Sequence, residues 1–224
     1  MKKTLSKDGS VHVTDERINT IVSLVGSMLA VLLGSVLATK LFLAGQAWYR
    51  TLALLVYILG FANLFVMSTL HHGLSLSKRA ESVLRTLDYT AIFWHTAATI
   101  SVIVVFRYPH LIGYAVLLAT WCIAATGIAL RASMPSLPKH ISNTLFIALG
   151  WLPALVLITG GGLIALHELV YLGLGGLLYS IGFYIYVAEK PNPIKGIFGF
   201  HEIWHVIVLA ASLLHWLLIW QLVS

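Results

Sequence analysis

Residues 20–39 read TIVSLVGSMLAVLLGSVLAT, twenty positions without one charged side chain. At ~1.5 Å of rise per residue, a helix of that length crosses the ~30 Å hydrocarbon layer of a bilayer. Counting this stretch as Thr20–Thr39, six more of its kind follow: Thr51–Leu70, Tyr89–Phe106, Leu111–Leu130, Ile141–Thr159, Leu169–Ala188 and His201–Val223. A transmembrane β-barrel would show segments of about ten residues with alternating polarity. Continuous runs twice that long predict helices, because a helix satisfies its own backbone polar groups inside lipid. The predicted fold class is all-α: a polytopic membrane protein, a seven-transmembrane-helix bundle.

Composition excludes the alternatives. Of 224 residues, 59% are apolar, and only 14 Lys+Arg and 8 Asp+Glu are present. Mean hydropathy is +0.91. So few charges cannot coat a soluble globule, which rules out a soluble enzyme, a nucleic-acid binder and a disordered chain. The expected organisation is a short N-terminal segment, residues 1–19, and a bundle, residues 20–224. Gly160-Gly161-Gly162, Pro135 with Pro138, and Pro191 with Pro193 punctuate the spans as breakers. The first span starts late and follows Asp8, Asp15 and Glu16, which is unlike a signal peptide. The single cysteine, Cys122, allows no intrachain disulfide and is expected as a small buried apolar group.

Charge sets the expected orientation. Lys2, Lys3, Lys7, Arg17, Lys78, Arg79, Arg85, Arg131, Lys139, Lys190 and Lys195 fall on one side of the alternating spans, against Lys40, Arg50 and Arg107 on the other. The positive-inside bias places the N-terminus in the cytoplasm and, after seven crossings, the C-terminus outside.

Ionisable residues within spans are costly, and so are functional candidates. They are His71, His72, Asp88, His95, His201, Glu202, His205 and His215. With this topology, the end of span two and the starts of spans three and seven share one depth. There, Asp88 is expected in the first turn of its span, together with several imidazoles. His201 and His205 are four apart, on one helical face and ~6 Å apart along the axis, a spacing that suits one metal ion. Two histidines hydrogen-bonded at a helix start are the alternative. Ser68 and His72 are likewise four apart, while His71 points ~100° away; either histidine could complete the set, and His72 is favoured because Ser68 shares its face. Three neutral imidazoles leave Zn²⁺ an open position, the catalytic type of site, and the ion lowers the pKa of a water bound there towards ~7. Asp88 could serve as general base, or could pair with Arg85 at the interface.

Other polar residues suit structural roles. His215 lies too deep to join the cluster. His95 could line a cavity or hydrogen-bond across helices. Glu202 suits a helix N-terminus. Trp48, Trp204, Trp216 and Trp220 fit interfacial anchors. No phosphate loop, Ser-His-Asp triad or internal repeat is visible.

These residues resemble the hemolysin III branch of the progestin and adipoQ receptor superfamily, itself similar to alkaline ceramidases. The motifs are Glu16-x-x-Asn19, Ser68-x-x-x-His72, Leu87-Asp88-Tyr89 and His201-Glu202-Ile203-Trp204-His205. The resemblance covers essentially the whole chain. It implies seven helices, a zinc held by His72, His201 and His205, and Ser68 and Asp88 flanking the water. It also implies an integral protein of the bacterial inner membrane, with a lipid as substrate. Val22 and Ser23 stand where many relatives carry Thr-His, and His71 stands where the residue before the ligand is usually aromatic.

Three functions follow for comparison. The first is a zinc-dependent hydrolase of a lipid amide or ester. The second is a non-catalytic homeostasis or sensor protein with a structural zinc; Ni²⁺ or Co²⁺ would share the preference for imidazole. The third, a cytolytic pore-former, fits poorly, because a secreted cytolysin must be soluble before it inserts. Membrane lipids are the expected partners; nothing points to nucleic acid or to a particular protein partner.

Overall fold

The computed structural model describes residues 5–134, 137–159 and 164–223. Among these residues seven helices follow one another: α1 (Arg17–Ala44), α2 (Trp48–Gly73), α3 (Lys78–Arg107), α4 (Leu111–Ser133), α5 (Lys139–Thr159), α6 (Leu166–Ala188) and α7 (Phe200–Leu222). Each is long and apolar enough to cross a membrane. The chain is an integral, multi-pass membrane protein. Pro135, the Gly160-Gly161-Gly162 turn, Lys2 and Lys3 lie outside the described residues, as does the side chain of Lys139.

The helices meet the expected spans but outrun them where polar residues follow. The largest difference is α3, which begins eleven residues before Tyr89. Ser77 caps it by accepting from the Ala80 amide, and Glu81 occupies its first turn. Hydropathy registers only the lipid-crossing part, so a helix that continues past the interface reads as a loop. Asp88 therefore sits three turns into α3 and not at its start.

The most buried of the seven, α3 packs against α2, α4, α5 and α7, while α1 lies against α2 and α7. Its second half, from Ala97 to Phe106, is buried without interruption. Small residues let the helices approach closely. A Cβ at Gly26 of α1 would stand 2.3 Å from the Phe65 ring of α2, and one at Gly127 of α4 would stand 2.4 Å from the Phe93 ring of α3.

Every helix carries at least one exposed large apolar side chain, from Leu43 of α1 to Val206 of α7, as lipid contact requires. Cys122 is also exposed, on the outer face of α4. It is not the buried group expected, because in a bilayer an apolar thiol is equally at home on the outside. Of the tryptophans, Trp48 projects outward as an anchor would. By contrast, the Trp216 indole donates to the Leu33 carbonyl at 3.3 Å, and Trp204 lines an internal cavity. Their position along the helix suits an interface, but the face they occupy turns inward.

α6 packs chiefly on α7, and a cavity of about 630 Å³ lies among α3, α5, α6 and α7. It is walled mainly by apolar side chains. Ile147, Trp151 and Ile158 of α5 and Leu177 of α6 line it and are themselves exposed. The cavity therefore opens sideways between α5 and α6, towards the lipid.

Candidate metal centre

The cavity ends against a polar cluster assembled from α1, α2, α3, α7 and the N-terminal segment. His72 is in the last turn of α2, and His201 and His205 are in the first two turns of α7. One nitrogen from each of these three lies within 4.8 Å of the others. His72 Nε2 and His205 Nε2 stand 3.2 Å apart. Tetrahedral zinc with bonds of ~2.0–2.1 Å needs ligand nitrogens ~3.3 Å apart.

The hydrogen bonding around these rings fits a cation. His72 Nδ1 faces Glu16 Oε2 at 2.8 Å. That partner holds the ring proton on Nδ1 and leaves Nε2 a lone pair, the usual support for a metal-bound histidine. The Nε2 of His201 is buried and makes no hydrogen bond, although Asp8 Oδ2 lies 3.3 Å away. Lone pairs converging in a buried space repel unless a proton or a metal lies between them.

Ser68, one turn before His72, bonds Ser23 Oγ at 2.9 Å. Both serines reach His205 Nδ1 at 3.5 Å. Ser23, the departure noted in the first motif, thus belongs to the cluster. Asp88 Oδ2 is 3.9 Å from His72 Nε2. The Arg85 guanidinium goes instead to the Lys7 carbonyl, at 3.5 Å. Next to Asp88, the Tyr89 hydroxyl bonds that of Tyr186 at 2.5 Å, and the Arg131 guanidinium lies over the Tyr89 ring at 4.0 Å.

His71 is also buried, but it turns to Asp8, with Nε2 3.4 Å from Oδ1. Asp8, His71 and His72 form a second group with metal-ligand spacing. Burial alone would raise the Asp8 carboxyl; His201, His71 and His72 outweigh it and hold Asp8 well below the usual carboxylate range. Glu16 is likewise pushed up by burial, yet the bond from His72 and the His72 charge bring it below its ordinary value.

Asp8 was not among the expected site residues. It lies in a short polar segment that has no periodicity to mark it. Three residues fix that segment. Lys7 Nζ donates to the carbonyls of His71, His72 and Leu74 at 2.8, 3.0 and 2.7 Å, capping the end of α2. Ser10 Oγ donates to Glu189 Oε2 at 2.8 Å. Thr14 Oγ1 donates to buried Glu202 Oε1 at 2.6 Å.

Glu202 also accepts from Asn19 Nδ2 at 2.9 Å and from the Gly199 amide at 2.8 Å. It caps α7, as expected, and ties α7 to α1 as well. His95 lines the cavity without a hydrogen-bond partner, and His215 lies at its deeper end, away from the cluster.

Fold and site together define a seven-helix membrane protein with a buried tri-histidine cluster at one end of the bundle. The chain belongs to the haemolysin-III related family, which matches residues 11–216. It is 26% identical over 174 residues to the hemolysin-3 homolog of Bacillus subtilis (strain 168), covering 75% of each chain. To hemolysin-3 of Bacillus cereus it is 29% identical over 166 residues, 71% of this chain and 70% of the relative. It also resembles the monocyte to macrophage differentiation factor of Homo sapiens, with 26% identity over 194 residues, 85% of this chain and 77% of the relative.

Proposed function

We propose that the protein is a metal-dependent hydrolase of a lipid amide or ester, with Zn²⁺ held by His72, His201 and His205. The single observation that carries this reading is the 3.2 Å approach of the His72 and His205 Nε2 atoms at the head of a lipid-open apolar cavity. A divalent ion in such a site polarises a carbonyl and activates water at neutral pH. Asp88 projects from α3 beside His72 and lines the cavity. It is the carboxylate suited to take the proton from the attacking water and return it to the leaving group. Ser68, fixed by Ser23, offers a hydroxyl to orient the carbonyl oxygen. Glu16 and Asn19 lock the His72 ring, since Asn19 Nδ2 donates to Glu16 Oε2 at 2.8 Å. The acyl chain enters between α5 and α6 and lies along the cavity.

The histidine end carries the described basic residues of the expected inner side, so it is read as cytoplasmic, in a bacterial inner membrane. The test is elemental analysis of purified protein beside His205→Ala, followed by a product screen over lipid amides and esters. About one zinc per chain, lost with His205, together with product release, supports the reading. Zinc-loaded protein that is inert over the whole panel overturns it.

Asp8 favours one other reading. Its carboxylate lies 3.3 Å from His201 Nε2, where it could complete a closed four-ligand site of the structural type. Asp8→Ala separates the two. A structural metal would leave with Asp8, whereas the metal of an open site remains.

A further inference from the structure

Buried polar groups along the inner part of the cavity are mostly paired. The Tyr179 hydroxyl meets Ser212 Oγ at 2.7 Å, and Thr99 Oγ1 donates to the His95 carbonyl at 2.8 Å. His95 is the clearest exception, with both ring nitrogens unpartnered. It is 3% exposed and lines the cavity. Its ring packs against two aromatic neighbours of α2, 5.6 Å from Phe61 and 5.7 Å from Tyr57. His215 also lines the cavity and has an unpartnered Nε2. A polar group buried without a partner is costly, and inside a membrane it marks a ligand contact by default.

The spacing along the helices gives the geometry. His95 lies seven residues beyond Asp88 on α3, and His215 ten beyond His205 on α7. At 1.5 Å per residue they stand ~10 and ~15 Å deeper than the metal-ligand cluster. A ligand whose head lies at the cluster therefore presents the middle of its chain to these imidazoles. A plain hydrocarbon chain would leave them unmatched. A neutral imidazole both donates and accepts, so a hydroxyl suits it.

We propose that the deep end of the cavity, lined by His95 and His215, is a second recognition subsite, in which His95 hydrogen-bonds an oxygen function carried mid-chain by the bound lipid. The protein thereby selects oxygenated acyl chains over plain ones. This rests on the reading of the cavity as a lipid site, but not on hydrolysis.

The test uses stearate and its mid-chain hydroxy analogue as probes, binding to full-length protein in lipid nanodiscs. Neither probe has a bond to cleave, so binding is read apart from turnover. The hydroxy acid binds wild type about fivefold more tightly, the scale of one net hydrogen bond. In His95→Leu that preference disappears while stearate affinity is kept, which also shows that the variant is folded. His95→Gln, which keeps a donor and an acceptor, retains most of the preference. Equal affinity of the two probes for wild type, or a preference that survives His95→Leu, overturns the subsite. Loss of hydrolysis on a lipid panel with the hydroxyl preference intact overturns the proposed enzymatic activity and leaves the subsite standing.

Discussion

At the scale of single residues, the proposed function divides the cluster into groups that would hold a metal and groups that would handle a proton, and substitution separates them. His205→Ala removes one of three imidazoles and is expected to abolish stoichiometric metal, read by elemental analysis after gel filtration. Glu16 acts one step further out, through His72 Nδ1 at 2.8 Å. Glu16→Ala frees that ring to rotate and to change tautomer. Loss of such a supporting group weakens metal affinity by about 10–100-fold, which competition with a chromophoric chelator would measure. Asp88 has the opposite signature. Asp88→Asn keeps the shape and removes the base, so bound metal stays unchanged while lipid hydrolysis falls by about 10²–10⁴-fold. An Asp88→Asn protein with full turnover would remove Asp88 from the proposed chemistry.

At the scale of elements, helix spacing is set by where glycines face rings, and alanine scanning tests it directly. In a helix, Gly→Ala by itself gains about 1 kcal/mol of propensity. At Gly150 of α5, where an added Cβ meets nothing within 4 Å, that gain is expected unopposed. At Gly26 and Gly127 the new methyl would collide with the Phe65 and Phe93 rings at 2.3 and 2.4 Å. Overpacking of this kind costs about 1–3 kcal/mol, so both variants should unfold at lower temperature in detergent than Gly150→Ala.

The element scale also explains what the chain made legible. The seven spans stood out because lipid demands long uncharged runs, and His72, His201 and His205 because an i, i+4 pair and a matching depth are visible in one dimension. The first eleven residues of α3 were hidden because charge masks a helix outside the bilayer. Asp8 was hidden for another reason. Its place beside His71 and His201 depends on the N-terminal segment folding across the ends of α2 and α7, and no local pattern encodes that path. Glu16 and Asn19 were visible as a motif, yet their use, one locking His72 and the other bridging to Glu202, needed the fold.

At the scale of the whole molecule, the proposed function makes the cluster, the cavity and its lateral opening one path from lipid to the histidines, and blocking it should separate access from chemistry. Gly176 of α6 lines the cavity, and an added Cβ there meets nothing within 4 Å. A large ring in that position has room to enter the cavity without disturbing helix packing. Gly176→Phe is therefore expected to bind metal as wild type does and to unfold at a similar temperature, because none of the ligands is near it in sequence and no backbone strain is introduced. Hydrolysis of long-chain lipids should fall at least tenfold, while a short-chain or water-soluble ester, which needs only the head of the cavity, should be hydrolysed nearly as before. Chain-length profiles of the two proteins, measured side by side in nanodiscs, give the comparison. If long and short substrates were affected alike, the acyl chain would not lie where α5 and α6 part, and lipid would have to reach the histidines by another route.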